Sequence, residues 1–78
     1  MLNITIMSTA RIVFKGAVES AVFPGDSGVF EVMAFHKRMM SRLLKGNIEV
    51  DGKLYPIARG IVKVDKNEIL AVIEEEAA

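Results

Sequence analysis

The chain has one histidine, His36, and no cysteine. Covalent catalysis needs a nucleophile, a base beside it and a group that orients the base. Ser41 and Asp26 are the nearest polar candidates to pair with His36. However, no motif sets an acid beside it, and no serine stands in a glycine-flanked elbow. The sequence therefore predicts no catalytic residues. A single histidine among scattered carboxylates has no metal-ligand spacing, so no metal and no cofactor is expected. Gly25 and Gly28 hint at a phosphate cradle, but the Lys-Ser/Thr that would complete one is missing and the loop opens a strand, so a plain turn is the better reading.

What remains is binding. Phe30, Met33, Phe35, Met39 and Met40 gather large or adaptable apolar groups within a short stretch, and Lys37, Arg38, Arg42 and Lys45 add a local excess of positive charge. If some of the apolar groups are exposed, they form an interface with a basic rim; otherwise they are core. Glu74, Glu75 and Glu76 make an acidic tail, read as either a solvated end or a contact. Across the chain, ten basic residues balance ten acidic ones. That argues against nucleic acid as a partner, because such affinity rests on uncompensated Lys and Arg.

The elements that must position these groups are strands. Leu2, Ile4 and Ile6 alternate with Asn3 and Thr5, the period of a strand with one buried face. Ile12 and Phe14 continue it, Gly16 suggests a turn before Val18, and residues 18–23 read as a third strand. Pro24-Gly25-Asp26-Ser27-Gly28 is the densest turn signal, after which residues 29–33 are extended again. Residues 36–44 fit helical and extended spacing equally. Asp51-Gly52 predicts a type I′ hairpin between strands around Ile48 and Leu54, with Pro56 where no ladder hydrogen bond is donated. Gly60 is read as a break before Ile61. The last hairpin turns at Asp65-Lys66-Asn67-Glu68, with Asn67 in the left-handed region. The prediction is an all-β chain: one domain over residues 1–78, a small β-sandwich or flattened barrel of about ten short strands in two sheets.

At 78 residues a domain buries roughly 60% of the surface its unfolded chain exposes, so one small core is the limit. Without cysteine, that core or a partner must supply the stability. The N-terminus lacks a basic start followed by an apolar run, so no leader is read there. The apolar runs are too short to span a bilayer, so no membrane insertion is expected.

Val13-Phe14-x-Gly16-x-Val18, then Val22-x-Pro24-Gly25-x-x-Gly28-x-Phe30, His36 and Leu44-x-Gly46-x-Ile48-x-Val50 resemble the N-terminal domain of the ATP synthase ε subunit. The closing stretch Gly60-Ile61-Val62-x-Val64-x-x-Asn67-x-Ile69-x-Ala71-Val72-x-Glu74 is similar to that domain's last hairpin. The resemblance covers nearly the whole chain and rests on order and spacing, since each element alone is a generic strand-and-turn signal.

The resemblance implies a non-catalytic rotor subunit of the central stalk, linking the γ subunit to the membrane c-ring and coupling ion-driven rotation to ATP synthesis. It implies a peripheral location, through the complex, at the cytoplasmic face of a bacterial plasma membrane. Carried over by position, Ser27, Gly28, Val29 and Phe30 correspond to the c-ring contact, and Ser8, His36 and Ser41 to the face that meets γ; Lys37, Arg38 and Arg42 would form a basic rim. There are departures. Ala34-Phe35 precede His36 where the family commonly has Pro-Gly, Arg59 replaces the first of two glycines, and no C-terminal helical hairpin follows Glu76. The last departure implies that the chain neither inhibits hydrolysis nor binds ATP, unless it is a fragment. The alternatives are a stand-alone β-sandwich adaptor between proteins and a small-ligand or enzymatic module.

Overall fold

A computed structural model describes residues 1–76 as eight strands: β1 (Leu2–Met7), β2 (Ile12–Val18), β3 (Ser20–Gly25), β4 (Gly28–Met33), β5 (Met39–Leu43), β6 (Gly46–Val50), β7 (Lys53–Asp65) and β8 (Glu68–Glu75). The count is close to the ten expected. They form one connected sheet in the order β2-β1-β8-β7-β5-β3-β4, with β6 bridging β3 and β7. Every pairing is antiparallel except that of β1 with β8.

The long strand β7 turns this sheet into a sandwich. Its first part, Lys53–Ile57, pairs with β6, and its second part pairs with β5 on one side and β8 on the other. β5 and β6 follow one another along the same edge of β7, and both reach across to β3. All eight strands send alternate side chains into one apolar cluster, with Phe23, Leu2, Ile4, Ile6, Leu43, Ile48 and Ile57 fully enclosed. A flat sheet could not bring them together. Each such side chain contributes about 1.5–3 kcal/mol relative to exposure, and no buried polar side chain offsets the gain among the described residues.

Several boundaries differ from the sequence reading for identifiable reasons. Residues 39–43, which the sequence leaves open between helical and extended spacing, are a strand, because the edge of β7 offers a ladder along Gly60–Val64 and the period of two buries Leu43 while leaving Met40 and Arg42 outside. Gly16 lies inside β2, opposite Ile4, and not at a turn. Pro24 and Gly25 belong to β3, so only Asp26 and Ser27 form the hairpin tip. The third strand does not run unbroken from Val18. The Asp51 carboxylate accepts from the Glu19 amide at 3.1 Å and the Ser20 amide at 3.1 Å, holding a bend between β2 and β3.

Gly60 likewise does not break the chain. A Cβ there would stand 2.7 Å from the Val72 carbonyl oxygen and 2.7 Å from Ile73, so its hydrogen lets β7 and β8 close up just past the bulge between Ile57 and Arg59. Asp51 and Gly52 both have positive φ, 46° and 86°, as a type I′ turn requires. In the last hairpin the left-handed residue is Lys66, with φ 59°, and not Asn67. Asn67 is held by tertiary bonds instead: its carbonyl accepts from the Asn3 amide at 2.8 Å and its side-chain oxygen accepts from the Phe35 amide at 2.9 Å.

Candidate protein-interaction surface

The β3–β4 hairpin carries the first candidate segment. Gly25 pairs with Gly28, and a Cβ on Gly25 would meet the Gly28 carbonyl at 2.8 Å and the Phe30 ring at 2.7 Å. The hairpin can therefore be this tight only with glycine there. Past the tip the two apolar residues part company. Phe30 stacks on the buried Phe23 ring, centroids 5.5 Å apart at 28°, while Val29 is 74% exposed. Ser27 and Gly28 are exposed as well.

The start of β3 pairs with β6, and its last residue, Gly25, pairs with Leu43 of β5 before the chain turns into β4. Between the hairpin and the splayed β5 lies a groove of about 520 Å³. It is lined by Ser27, Gly28, Val29 and Phe30 on one side and by His36, Lys37, Met39, Met40, Ser41 and Arg42 on the other. The fold thus brings both candidate segments to one place, although the sequence separates them.

Three polar side chains of this groove are committed within the fold. His36 Nδ1–H donates to the Lys37 carbonyl at 2.8 Å, which fixes its tautomer, and Ser41 Oγ donates to the Arg42 carbonyl at 2.9 Å. Arg42 faces Asp26 at 3.8 Å. His36 is bonded to neither Ser41 nor Asp26. The groove offers adaptable apolar surface with a basic border, suited to holding another chain.

Ser8 is not part of it. Its hydroxyl accepts from the Ala10 and Arg11 amides at 3.1 and 3.3 Å, and the turn it closes carries Thr9 to a second groove of about 850 Å³. That groove lies over β5, β7 and β8, where Leu44, Ile61 and Val72 stay exposed, and the Arg42–Asp26 pair borders both grooves. Arg38 lines neither groove. It pairs with Asp65 at 3.2 Å.

The acidic tail is a structural clasp. Glu74 pairs with Arg59 at 3.1 Å, Glu76 with Lys45 at 3.1 Å, and Glu75 with Arg11 through two hydrogen bonds. The bidentate bond to Arg11 holds the Glu75 carboxyl below the ordinary carboxylate range and raises the guanidinium. Arg59, the charge at the family's glycine position, is therefore answered within the chain. Arg59 and Glu74 face each other in the β7–β8 ladder, whereas Arg11, just before β2, and Lys45, between β5 and β6, reach the end of β8 only through the fold.

A family model described as ATP synthase, Delta/Epsilon chain, beta-sandwich domain matches residues 1–77. The chain belongs to this family. An ATP synthase epsilon chain from Nitratiruptor sp. is 36% identical over 78 residues, covering 94% of this chain and 60% of its own length. One from Parvibaculum lavamentivorans is 39% identical over 62 residues, covering 80% of this chain and 47% of its own. The chain thus spans about half to three fifths of these curated relatives.

Two solved structures share the fold. One is a chain of the Euglena gracilis mitochondrial ATP synthase, OSCP/F1/c-ring, with TM-score 0.86 and 21% identity, covering 95% of this chain and 51% of that one. The other is a chain of the Tetrahymena thermophila mitochondrial ATP synthase central stalk and c-ring, with TM-score 0.80 and 10% identity, covering 95% and 63%. At these identities the likeness speaks for the sandwich alone. No helix among the described residues is long and apolar enough to cross a membrane.

Proposed function

We propose that this epsilon-family sandwich is a non-catalytic coupling module of a rotary ATP synthase: it grips the γ subunit and bears on the polar loops of the c-ring, peripheral to a bacterial plasma membrane on its cytoplasmic side. The supporting observation is the β3–β4 hairpin. Its backbone is tightened by Gly25 and anchored by Phe30 on Phe23, yet it presents Val29 to solvent. A rigid tip with an unburied apolar side chain is what a load-bearing contact needs, because ordering the contact then costs little entropy.

In this reading Ser27, Gly28 and Val29 meet the ring, with Phe30 as their internal support. His36, Ser41 and the Ser8 turn face γ, and of the basic rim Lys37 steers the approach, since Arg38 and Arg42 are paired with Asp65 and Asp26. Rim charges of this kind act mainly on association rate. The relatives' name, epsilon chain of an ATP synthase, agrees with the assignment. The test is reconstitution. The chain should bind purified γ and restore proton pumping driven by ATP to membranes stripped of their own ε. A chain that binds γ but leaves pumping unrestored would reduce the proposal to a γ-binding adaptor, and failure of both would end it.

A further inference from the structure

Phe35 is the most exposed large apolar residue of the chain, at 90%, and it sits at φ 66°, the left-handed region that disfavours any residue with a Cβ. Two bonds impose that conformation: the Phe35 amide donates to Asn67 Oδ1 at 2.9 Å and the His36 amide donates to the Met33 carbonyl at 3.2 Å. The free chain thus holds a bulky aromatic in a disfavoured backbone state and gains no burial from its ring. Exposed Met33 adjoins it in the turn. Strain without return in the isolated molecule points to a gain made on binding.

The surrounding charge identifies the partner's chemistry. The Asn67 bond brings Lys66 beside the turn, Lys37 follows it, and Lys63 stands on β7 opposite Met40. Arg38 is neutralised by Asp65, whereas none of these three lysines lies within ion-pair distance of a carboxylate among the described residues. An aromatic tip flanked by the uncompensated Lys37 and Lys66, with Lys63 further along the same side of the sheet edge, complements an apolar pocket rimmed by carboxylates. A lipid surface is the poorer match. Six residues of β4 at about 3.3 Å each separate this turn from the Asp26–Ser27 hairpin by roughly 20 Å, and the proposed function gives that hairpin to the ring at the membrane.

We infer that Phe35 is the anchor by which this domain docks into an acid-rimmed apolar pocket on its stalk partner, an inference that rests on the γ-binding part of the proposed function. The test measures binding to purified γ by Phe35→Asn, which keeps a residue tolerant of positive φ, and by Lys37→Glu with Lys66→Glu. Phe35→Asn should raise the dissociation rate at least about tenfold while the melting temperature stays level or rises. The double charge reversal should slow association and flatten its salt dependence. If the unaltered chain binds γ and Phe35→Asn binds equally well, the anchor is refuted and the γ reading stands; if the unaltered chain does not bind, both fall. Sedimentation with phosphatidylserine vesicles that is lost in Phe35→Asn, with γ binding intact, would also overturn the inference in favour of lipid.

Discussion

Replacing Val29 with Asp should separate folding from coupling, and its neighbour Phe30 provides the control. In the free domain Val29 is 74% exposed, so the change removes little burial; a surface substitution on an edge strand costs at most about 1 kcal/mol. At a desolvated contact the terms are larger. The valine forfeits about 1.5–3 kcal/mol of apolar burial, and an unpartnered carboxylate adds a further penalty of about 1–3 kcal/mol even when it is partly hydrated. A sum of about 2.5–6 kcal/mol weakens docking by roughly two to four orders of magnitude. Phe30→Ala behaves oppositely, because it empties the space against Phe23 and should cost about 2–3 kcal/mol in folding, or roughly 10–20 °C in melting temperature for a domain of this size. Thermal melts of both variants, set beside ATP-driven proton pumping in reconstituted membranes, distinguish the roles. If Val29→Asp melts as low as Phe30→Ala, or if it pumps normally while fully folded, Val29 is not a contact and the assignment of the hairpin fails.

Gly60→Ala should destabilise the domain by about 1–3 kcal/mol, because the methyl meets the Val72 carbonyl oxygen and the β-branched Ile73 close to its backbone, neither of which can swing aside; a urea midpoint unchanged from the parent would contradict the close approach of β7 and β8. Glu75 has its carboxyl lowered by the Arg11 hydrogen bond. Its contribution is therefore present above the ordinary carboxylate value of about 4.3 and is lost as pH falls through the lower folded value. Glu75→Gln should make the acid limb of the stability profile shallower below about pH 4 and leave the neutral region little changed, a small effect because the pair is exposed to solvent.

The strands were legible wherever one face is buried, as in Leu2, Ile4 and Ile6 or Ile69, Ala71 and Ile73, because a period of two records a two-sided environment directly. The I′ turn at Asp51-Gly52 was legible because its chemistry is local. Legibility failed where a residue answers to something distant in sequence. Gly16 and Gly60 looked like breaks, yet Gly60 is required by the backbone of β8 and Gly16 simply sits within the β2 ladder. Asn67 has the usual composition of a left-handed position, but its side chain is spent on the Phe35 amide and the strained φ falls on Lys66. Residues 39–43 had no local preference at all, and the edge of β7 decided for them.

The candidate surface was legible in a different measure. Ser27 to Phe30 and His36 to Arg42 stand several residues apart in sequence, and their common groove exists because the chain, once Gly25 has paired with Leu43, turns at Asp26–Ser27 into β4 and does not continue along β5. The turn is written in the Pro24–Gly28 motif, but the pairing that sets it beside β5 is written in none. The sequence did suggest that the apolar cluster around residue 35 divides between core and interface, and the structure draws the line: Phe30 and Met39 pack on the core, while Val29, Met33, Phe35 and Met40 face outward. The charges divide in the same way. The acidic tail, Arg38 and Arg42 are consumed in holding the sandwich together, so any electrostatic steering of a partner must come from lysines that the fold leaves unpaired, Lys37 and Lys66 beside the strained turn among them. A basic segment in a sequence is thus no measure of the charge available for binding, since only the pairing within the fold determines how much of it a partner can meet.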